Sequence, residues 1–156
     1  VDRRNSTEAA LAGIFKWFLG DKAGPAIAYD GVNRTPMKDG RKEVLVVDDD
    51  PDVLRSFMRL LGDYADVKVA LGAEAALKVL ETKHFDTVVC DFNMAGPHGG
   101  WLLRQVRDKY PHIERILLSG SSYSELSHFL DPGLVDRFLE KPLEVEELIE
   151  AVSPEA

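Results

Sequence analysis

At 156 residues with 45% hydrophobic content, the chain is the size of one ordinary domain with a short extension and can bury a single core. A formal net charge of -8, with no Lys/Arg cluster to offset it, argues against direct binding of nucleic acid and favours metal ions and basic partners. One cysteine, Cys90, excludes an internal disulfide and any paired-cysteine zinc site; it reads as a small buried residue of a reducing compartment, the cytoplasm.

In chain order, residues 1–40 form an N-terminal extension. Arg3 and Arg4 precede an apolar stretch over 9–15, and Ala26-Ile27-Ala28 has the small residues of a cleavage site. Lys16 interrupts that stretch, Asp21 and Lys22 separate it from the site, and no run approaches the roughly 20 apolar residues of a membrane span, so neither an export signal nor a span is expected. Asn5 with Glu8 can cap a helix in which Leu11, Ile14, Phe15 and Phe18 share one face before Gly20 stops it. That face suits a partner, a second copy of the chain or the rest of the molecule, with residues 20–40, rich in Gly, Pro, Asp and Asn, as a linker.

Beyond Lys42 the pattern changes. Short β-branched runs at 44–47, 67–70, 87–90, 116–118 and 138–139 alternate with helical patterns at 51–61, 73–83, 101–110, 122–130 and 145–152. Nearly continuous apolar strands require burial on both faces, as in a parallel sheet covered by helices. Five such units over 41–152, followed by a tail at 153–156, predict a flavodoxin-like, doubly wound α/β domain with strand order 2-1-3-4-5. Right-handed crossovers then gather all the strand C-termini on one rim, where such sheets bind ligands.

That rim carries chemistry. The first strand ends in Asp48-Asp49-Asp50, the third in Asp91, the fourth in Ser119, and the fifth is followed by Lys141. Strand ends are often polar, and Asp50 before Pro51 reads as a helix cap. Three crowded carboxylates without a cation would nevertheless repel one another. Mg²⁺, which takes one or two protein carboxylates and keeps several waters, relieves that repulsion. An Asp carboxylate can then attack phosphorus, while a lysine and a hydroxyl stabilise the phosphoryl oxygens.

Val44-Leu45-Val46-Val47-Asp48-Asp49-Asp50-Pro51, Val88-Val89-Cys90-Asp91-Phe92-Asn93-Met94, Leu117-Leu118-Ser119-Gly120 and Phe138-Leu139-Glu140-Lys141-Pro142-Leu143 resemble, in order and spacing, the motifs of response-regulator receiver domains. The resemblance covers about 110 of the 156 residues. It implies that Asp91 accepts a phosphoryl group and that Asp48, Asp49, Asp91 and the Asn93 carbonyl hold Mg²⁺. Ser119 and Lys141 would contact the phosphoryl group, and Ser119 and Phe138 would form the switch. It further implies a sensor histidine kinase or phosphotransfer protein as donor, a downstream effector protein, possible homodimers, and self-catalysed phosphorylation and dephosphorylation with no separate substrate turned over. The sequence departs from the family after Met94, with Ala95-Gly96-Pro97 in place of an immediate proline, and His98 before Gly99-Gly100 in place of an acid or small polar residue. These glycines suggest a freer loop. His98 reads either as a plain loop residue or as a group that tunes the site by titrating near neutral pH.

Two other readings use the same residues. A haloacid-dehalogenase-like phosphatase would take Asp48 as nucleophile and Asp50 as general acid, but only Glu144, Glu146 and Glu147 follow Lys141 as metal ligands, and Asp91 would have no role. A receiver-like module that only binds proteins, without phosphorylation, would not require every reactive position to be filled. Ser119 to Ser122 and the strand ending at Asp91 also invite comparison with flavin and nucleotide sites. No Gly-rich phosphate loop accompanies them.

Overall fold

The computed structural model describes residues 40–154. The expected N-terminal helix, its linker up to residue 39 and the last two residues of the expected tail lie outside the described residues. The elements are β1 (Glu43–Asp48), α1 (Pro51–Leu61), β2 (Asp66–Leu71), α2 (Ala73–Leu80), β3 (Thr87–Asp91), α3 (Gly99–Lys109), β4 (Glu114–Ser119), α4 (Tyr123–Leu126), β5 (Arg137–Glu140) and α5 (Val145–Val152). All strand pairs are parallel, in the order β2-β1-β3-β4-β5. This is the expected flavodoxin-like, doubly wound sheet.

Alternation along the strands builds two cores. Leu45, Val47, Val88, Cys90 and Leu117 point to one face and meet Ala73, Ala76 and Leu80 of α2 and Leu102, Leu103 and Val106 of α3. Val44, Val46, Val89, Ile116, Leu118 and Leu139 point to the other and meet Leu54, Phe57, Met58 and Leu61 of α1 with Leu148, Ala151 and Val152 of α5. β1 and β3 are buried along their whole length, and every apolar residue in them contributes to one core or the other. Each fully buried Leu or Val contributes about 1.5 to 3 kcal/mol, so the central strands are the most firmly held elements of the fold.

Three helix boundaries differ from the sequence reading. α2 ends at Leu80 rather than at 83, where the amides of Glu81 and Thr82 turn back to Lys78 O and Val79 O. α3 begins at Gly99, two residues earlier than expected, because His98 caps it. The pattern at 122–130 breaks into α4 and a 3-10 turn, Ser127–Phe129. Ser122 and Glu125 form a reciprocal capping box that starts α4, but only Leu126 and Leu130 are buried, and the Ser127 hydroxyl bonds back to Ser124 O. A stripe of two apolar residues offers little packing to hold a longer helix.

Buried polar groups brace the opposite end of the sheet. Arg115 reaches the carbonyls of Leu134 and Ile113 at 2.8 and 3.1 Å, and Asp136 accepts the Arg115 amide at 2.8 Å. Asp86 accepts the Glu43 amide at 2.8 Å.

At the rim, Gly99 and Gly100, two of the three glycines expected to free the chain after β3, allow close packing, whereas Gly96 takes a positive φ in open space. A Cβ on Gly99 would lie 2.5 Å from Asp91 O, 2.9 Å from Phe92 Cα and 3.0 Å from Leu117 Cδ1. Backbone atoms cannot yield as a flexible side chain can. Gly99→Ala is therefore expected to destabilise the domain by about 2 to 3 kcal/mol, the upper part of the usual cost of overpacking. Gly120→Ala, at a position where a Cβ meets nothing within 4 Å, should change stability little. Urea unfolding of the two variants checks this, and equal midpoints would refute it.

Candidate phosphoacceptor site

The parallel register of β1 and β3 pairs Val44 with Thr87 through Val47 with Cys90. One residue further along each strand stand Asp48 and Asp91, side by side on the central pair. Both are buried, at 5% and 6% exposure, because the strands that carry them are covered on both faces. Ser119 ends β4 one residue beyond Leu118, the partner of Asp91, and is 1% exposed. Lys141 follows β5, and its amide donates to Ser119 O at 2.7 Å, which ties the lysine's backbone to the end of the neighbouring strand.

These positions converge. Lys141 Nζ lies 2.9 Å from Asp91 Oδ1. That contact is an ion pair without hydrogen-bond alignment, so Asp91 Oδ1 remains a buried acceptor with no hydrogen bond. Asp48 Oδ1 accepts the Asp50 amide at 3.0 Å, and Ser119 Oγ accepts the Ser121 amide at 2.8 Å. Burial, and then the charge of Asp91, push the Asp48 carboxyl up to about 6, against partial relief from the Asp50 amide and Lys141. The Cys90 thiol is driven far above its ordinary range by burial and by the same two carboxylates. It is inert, and its Sγ lies 3.8 Å from Gly99 O.

Asp49 is exposed, and its Oδ2 accepts the Ala95 amide at 2.8 Å. The β3–α3 loop is thereby tethered to the end of β1. Asn93 is exposed within that loop. Asp50 does not join the carboxylate pair: its Oδ1 accepts the Asp52 amide at 2.9 Å and caps α1, with Pro51 at the first helical position, as its place before Pro51 predicts. Phe138 is half-buried on β5 and packs edge-on against Tyr123 of α4, with ring centroids 5.3 Å apart.

Among the described residues, no three carboxylate, imidazole or thiol groups form a metal cluster by themselves. The donors at the rim fit a cation that needs fewer protein ligands. Two buried carboxylates, Asp48 and Asp91, share the single nearby ammonium of Lys141, and the ionisation of Asp48 is resisted, so the pair has more negative charge than that one cation offsets. Mg²⁺ suits such a donor set because it binds through one or two carboxylates and completes its shell with water and carbonyl oxygen.

Sequence reasoning missed one structural role here. His98 is the N-cap of α3: its Nδ1 accepts the Trp101 amide at 3.1 Å, and its ring stacks on Phe92 with centroids 4.8 Å apart. The signal was present in its place immediately before the apolar pattern Leu102, Leu103 and Val106. Histidine is simply not among the usual capping residues.

The profile of the response regulator receiver domain matches residues 44–153. The response regulator protein FleR of Pseudomonas aeruginosa is 34% identical over 117 residues, which are 73% of this chain and 24% of FleR. The heme response regulator HssR of Staphylococcus aureus is 33% identical over 108 residues, 69% of this chain and 48% of HssR. The chain thus spans about a quarter of FleR and about half of HssR. Among solved structures, the response regulator protein TrrA of Thermotoga maritima, in complex with Mg(2+)-BeF, is similar with a TM-score of 0.61 and 31% identity over 71% of this chain and 96% of that one. Among the described residues no helix is long and apolar enough to cross a membrane. A match over most of the chain, on a fold that brings Asp48, Asp91, Ser119 and Lys141 to one rim, means that the chain belongs to the response regulator receiver domain family of two-component signalling.

Proposed function

We propose that Asp91 accepts a phosphoryl group, from the phosphohistidine of a sensor kinase or phosphotransfer protein, and thereby sets the surface around α4 and α5 for an effector protein or a second copy of the chain. The observation that carries this reading is the buried Asp91 carboxylate with the Lys141 ammonium 2.9 Å away. One Asp91 oxygen forms the new O–P bond as the donor's N–P bond breaks, or its O–P bond for an acyl phosphate. Lys141 supplies a positive charge to the arriving oxygens, and Ser119 a hydroxyl. Mg²⁺, held by Asp48, Asp49, Asp91 and the Asn93 carbonyl, would neutralise the charge of the phosphoryl oxygens at this rim. TrrA, whose structure holds Mg(2+)-BeF, supports that assignment by analogy. We assign the receiver unit to residues 41–152, with 1–40 as an extension, and place the protein in the cytoplasm, where its donor would be found.

The switch in this reading runs from Ser119 to Phe138. A group carrying roughly -2 charge on Asp91 attracts the Ser119 hydroxyl, which must give up the Ser121 amide that it now accepts. Phe138 can move into the space vacated, away from its edge contact with Tyr123.

Three outcomes are expected. Incubation with Mg²⁺ and acetyl phosphate should add the mass of one hydroxylamine-sensitive phosphoryl group, and Asp91→Asn should abolish it; undiminished labelling of that variant would overturn the assignment. Phe138→Ala should label normally but blunt the beryllofluoride-induced amide shifts on the face formed by α4 and α5, at a stability cost of about 0.5 to 1.5 kcal/mol for the aromatic pair beyond its area burial.

The third outcome concerns Asp48. Its folded value of about 6 lies above the ordinary 3.8, so the folded state holds the proton more tightly than the unfolded state. The stability this contributes is present below pH 3.8 and is lost as pH rises through about 6. At neutral pH without a cation, ionised Asp48 therefore costs the fold on the order of 1 to 3 kcal/mol. Asp48→Asn should raise the melting temperature at pH 7.5 without Mg²⁺, with no such gain at pH 3.5 if both proteins remain folded there. Millimolar Mg²⁺ should stabilise the parent more than the variant. A gain independent of pH would contradict the origin assigned to it.

A further inference from the structure

The β3–α3 loop, residues 92–98, is closed at its neck by three contacts. The Gly99 amide donates to Phe92 O at 2.9 Å, the His98 ring stacks on the Phe92 ring, and His98 Nδ1 accepts the Trp101 amide. Gly100 makes room for that ring, since a Cβ there would lie 3.0 Å from His98 Cε1 and 3.2 Å from Nδ1. The tip of the loop carries Asn93, and Ala95 binds Asp49. One foot of the neck, Phe92, follows Asp91 directly.

We propose that His98 is a positioning residue for phosphoryl transfer to Asp91, holding the loop closed through its cap and its stack while the ring is neutral and releasing it on protonation. This rests on the function proposed above. An Nδ1 that accepts from Trp101 must be unprotonated, which places the proton of the neutral ring on Nε2. Adding a second proton puts a donor against a donor. It also sets a positive charge at the N-terminus of α3, where the helix dipole is itself positive. The bond to Trp101 is lost, and with it the ring position that the stack on Phe92 depends on.

Burial and one nearby charge oppose protonation, against a bond to the backbone of His98 itself that favours it. Burial and then the charge of Arg104, further along α3, hold the His98 value below the ordinary one. Arg104 is itself paired with Asp131, from the segment before β5, at 3.5 Å, and Asp131 is shared with Arg107 at 3.0 Å. From β3 the neighbouring charge is Asp91, which is paired with Lys141. Because the folded value is depressed, the cap's contribution is complete above the ordinary value near 6.5 and is lost as pH falls through the folded value.

The test uses the full chain, His98→Asn, which retains a capping side chain but cannot titrate, and His98→Ala, which does neither. Rates of Asp91 labelling by acetyl phosphate with Mg²⁺ are compared as ratios to the parent, because Asp48, Asp91 and Lys141 are common to all three proteins and cancel. From pH 7.5 to pH 5.0 the parent should lose rate relative to His98→Asn, by up to about fivefold, the factor by which loss of one cap lowers the ratio of closed to open loop. At pH 7.5 His98→Asn should restore most of the rate lost in His98→Ala. The Trp101 amide resonance should titrate with the His98 ring, and ring nitrogen shifts should place the neutral proton on Nε2. A parent-to-Asn ratio equal at both pH values, or a neutral ring protonated at Nδ1, overturns the proposal. If none of the proteins is labelled, the phosphoacceptor reading falls and the positioning role with it, while the Trp101 titration still decides the cap, so the two failures are distinguishable.

Discussion

Two carboxylates that repel each other are held together by the sheet, and the rest of the rim answers that constraint. Neither strand can relieve the repulsion by moving. β1 and β3 are paired in register along their length and buried on both faces, so Asp48 and Asp91 are carried to adjacent ends by the most stable part of the molecule. The interaction is expressed in Asp48, whose ionisation is resisted by burial and by the charge of Asp91, and it is partly answered by Lys141. Because unfavourable charge persists in a rigid frame, a cation or transferred group that redistributed it would be bound with more discrimination than a flexible acidic patch could provide.

The same frame divides labour between its two faces. The α1 and α5 side seals Val44, Val46, Val89, Ile116 and Leu118 under a continuous apolar layer. The α2, α3 and α4 side is built less uniformly. α4 is a single capped turn followed by a 3-10 turn, with Tyr123 and Phe129 exposed and Phe138 half-covered beside them. A region anchored by only Leu126 and Leu130 has little apolar burial to lose when it rearranges, which is the physical requirement for an element that reports on a neighbouring site. Ser119 and Lys141 belong to strand ends that border this region, so chemistry at Asp91 and packing at Phe138 share a boundary. Loop anchoring supplies the other half: Gly99 brings α3 against the backbone of Asp91 and Phe92 at a distance that a Cβ would forbid.

Much of this could be read from residues alone. Nearly continuous apolar runs such as 44–47 and 87–90, alternating with helical patterns, were enough for a parallel α/β sheet, since only strands buried on both faces are apolar throughout. The rim followed from topology, because right-handed crossovers send every strand C-terminus to the same edge, and Asp48, Asp91, Ser119 and Lys141 each stand at such an end. Helix ends were less legible. The apolar pattern at 122–130 extends further than the helix does, because a stripe in sequence does not say whether anything will pack on it. At 73–83 the helix closes at Leu80, where the Glu81 and Thr82 amides turn back to Lys78 O and Val79 O.

The sequence by itself determined the fold class and which polar residues stand at the strand ends, because apolar runs and strand-end chemistry are local properties readable along the chain. Tertiary structure alone decided how those residues are engaged. That Asp49 turns one oxygen to the Ala95 amide, that Asp50 caps α1 instead of joining the acid pair, and that Lys141 meets Asp91 without a hydrogen bond all depend on distances between segments far apart in the chain. His98 shows the division most clearly. Its place before an apolar helix was visible, but its role required the Trp101 amide, the Phe92 ring and the space left by Gly100 to be brought around one imidazole, and only packing does that.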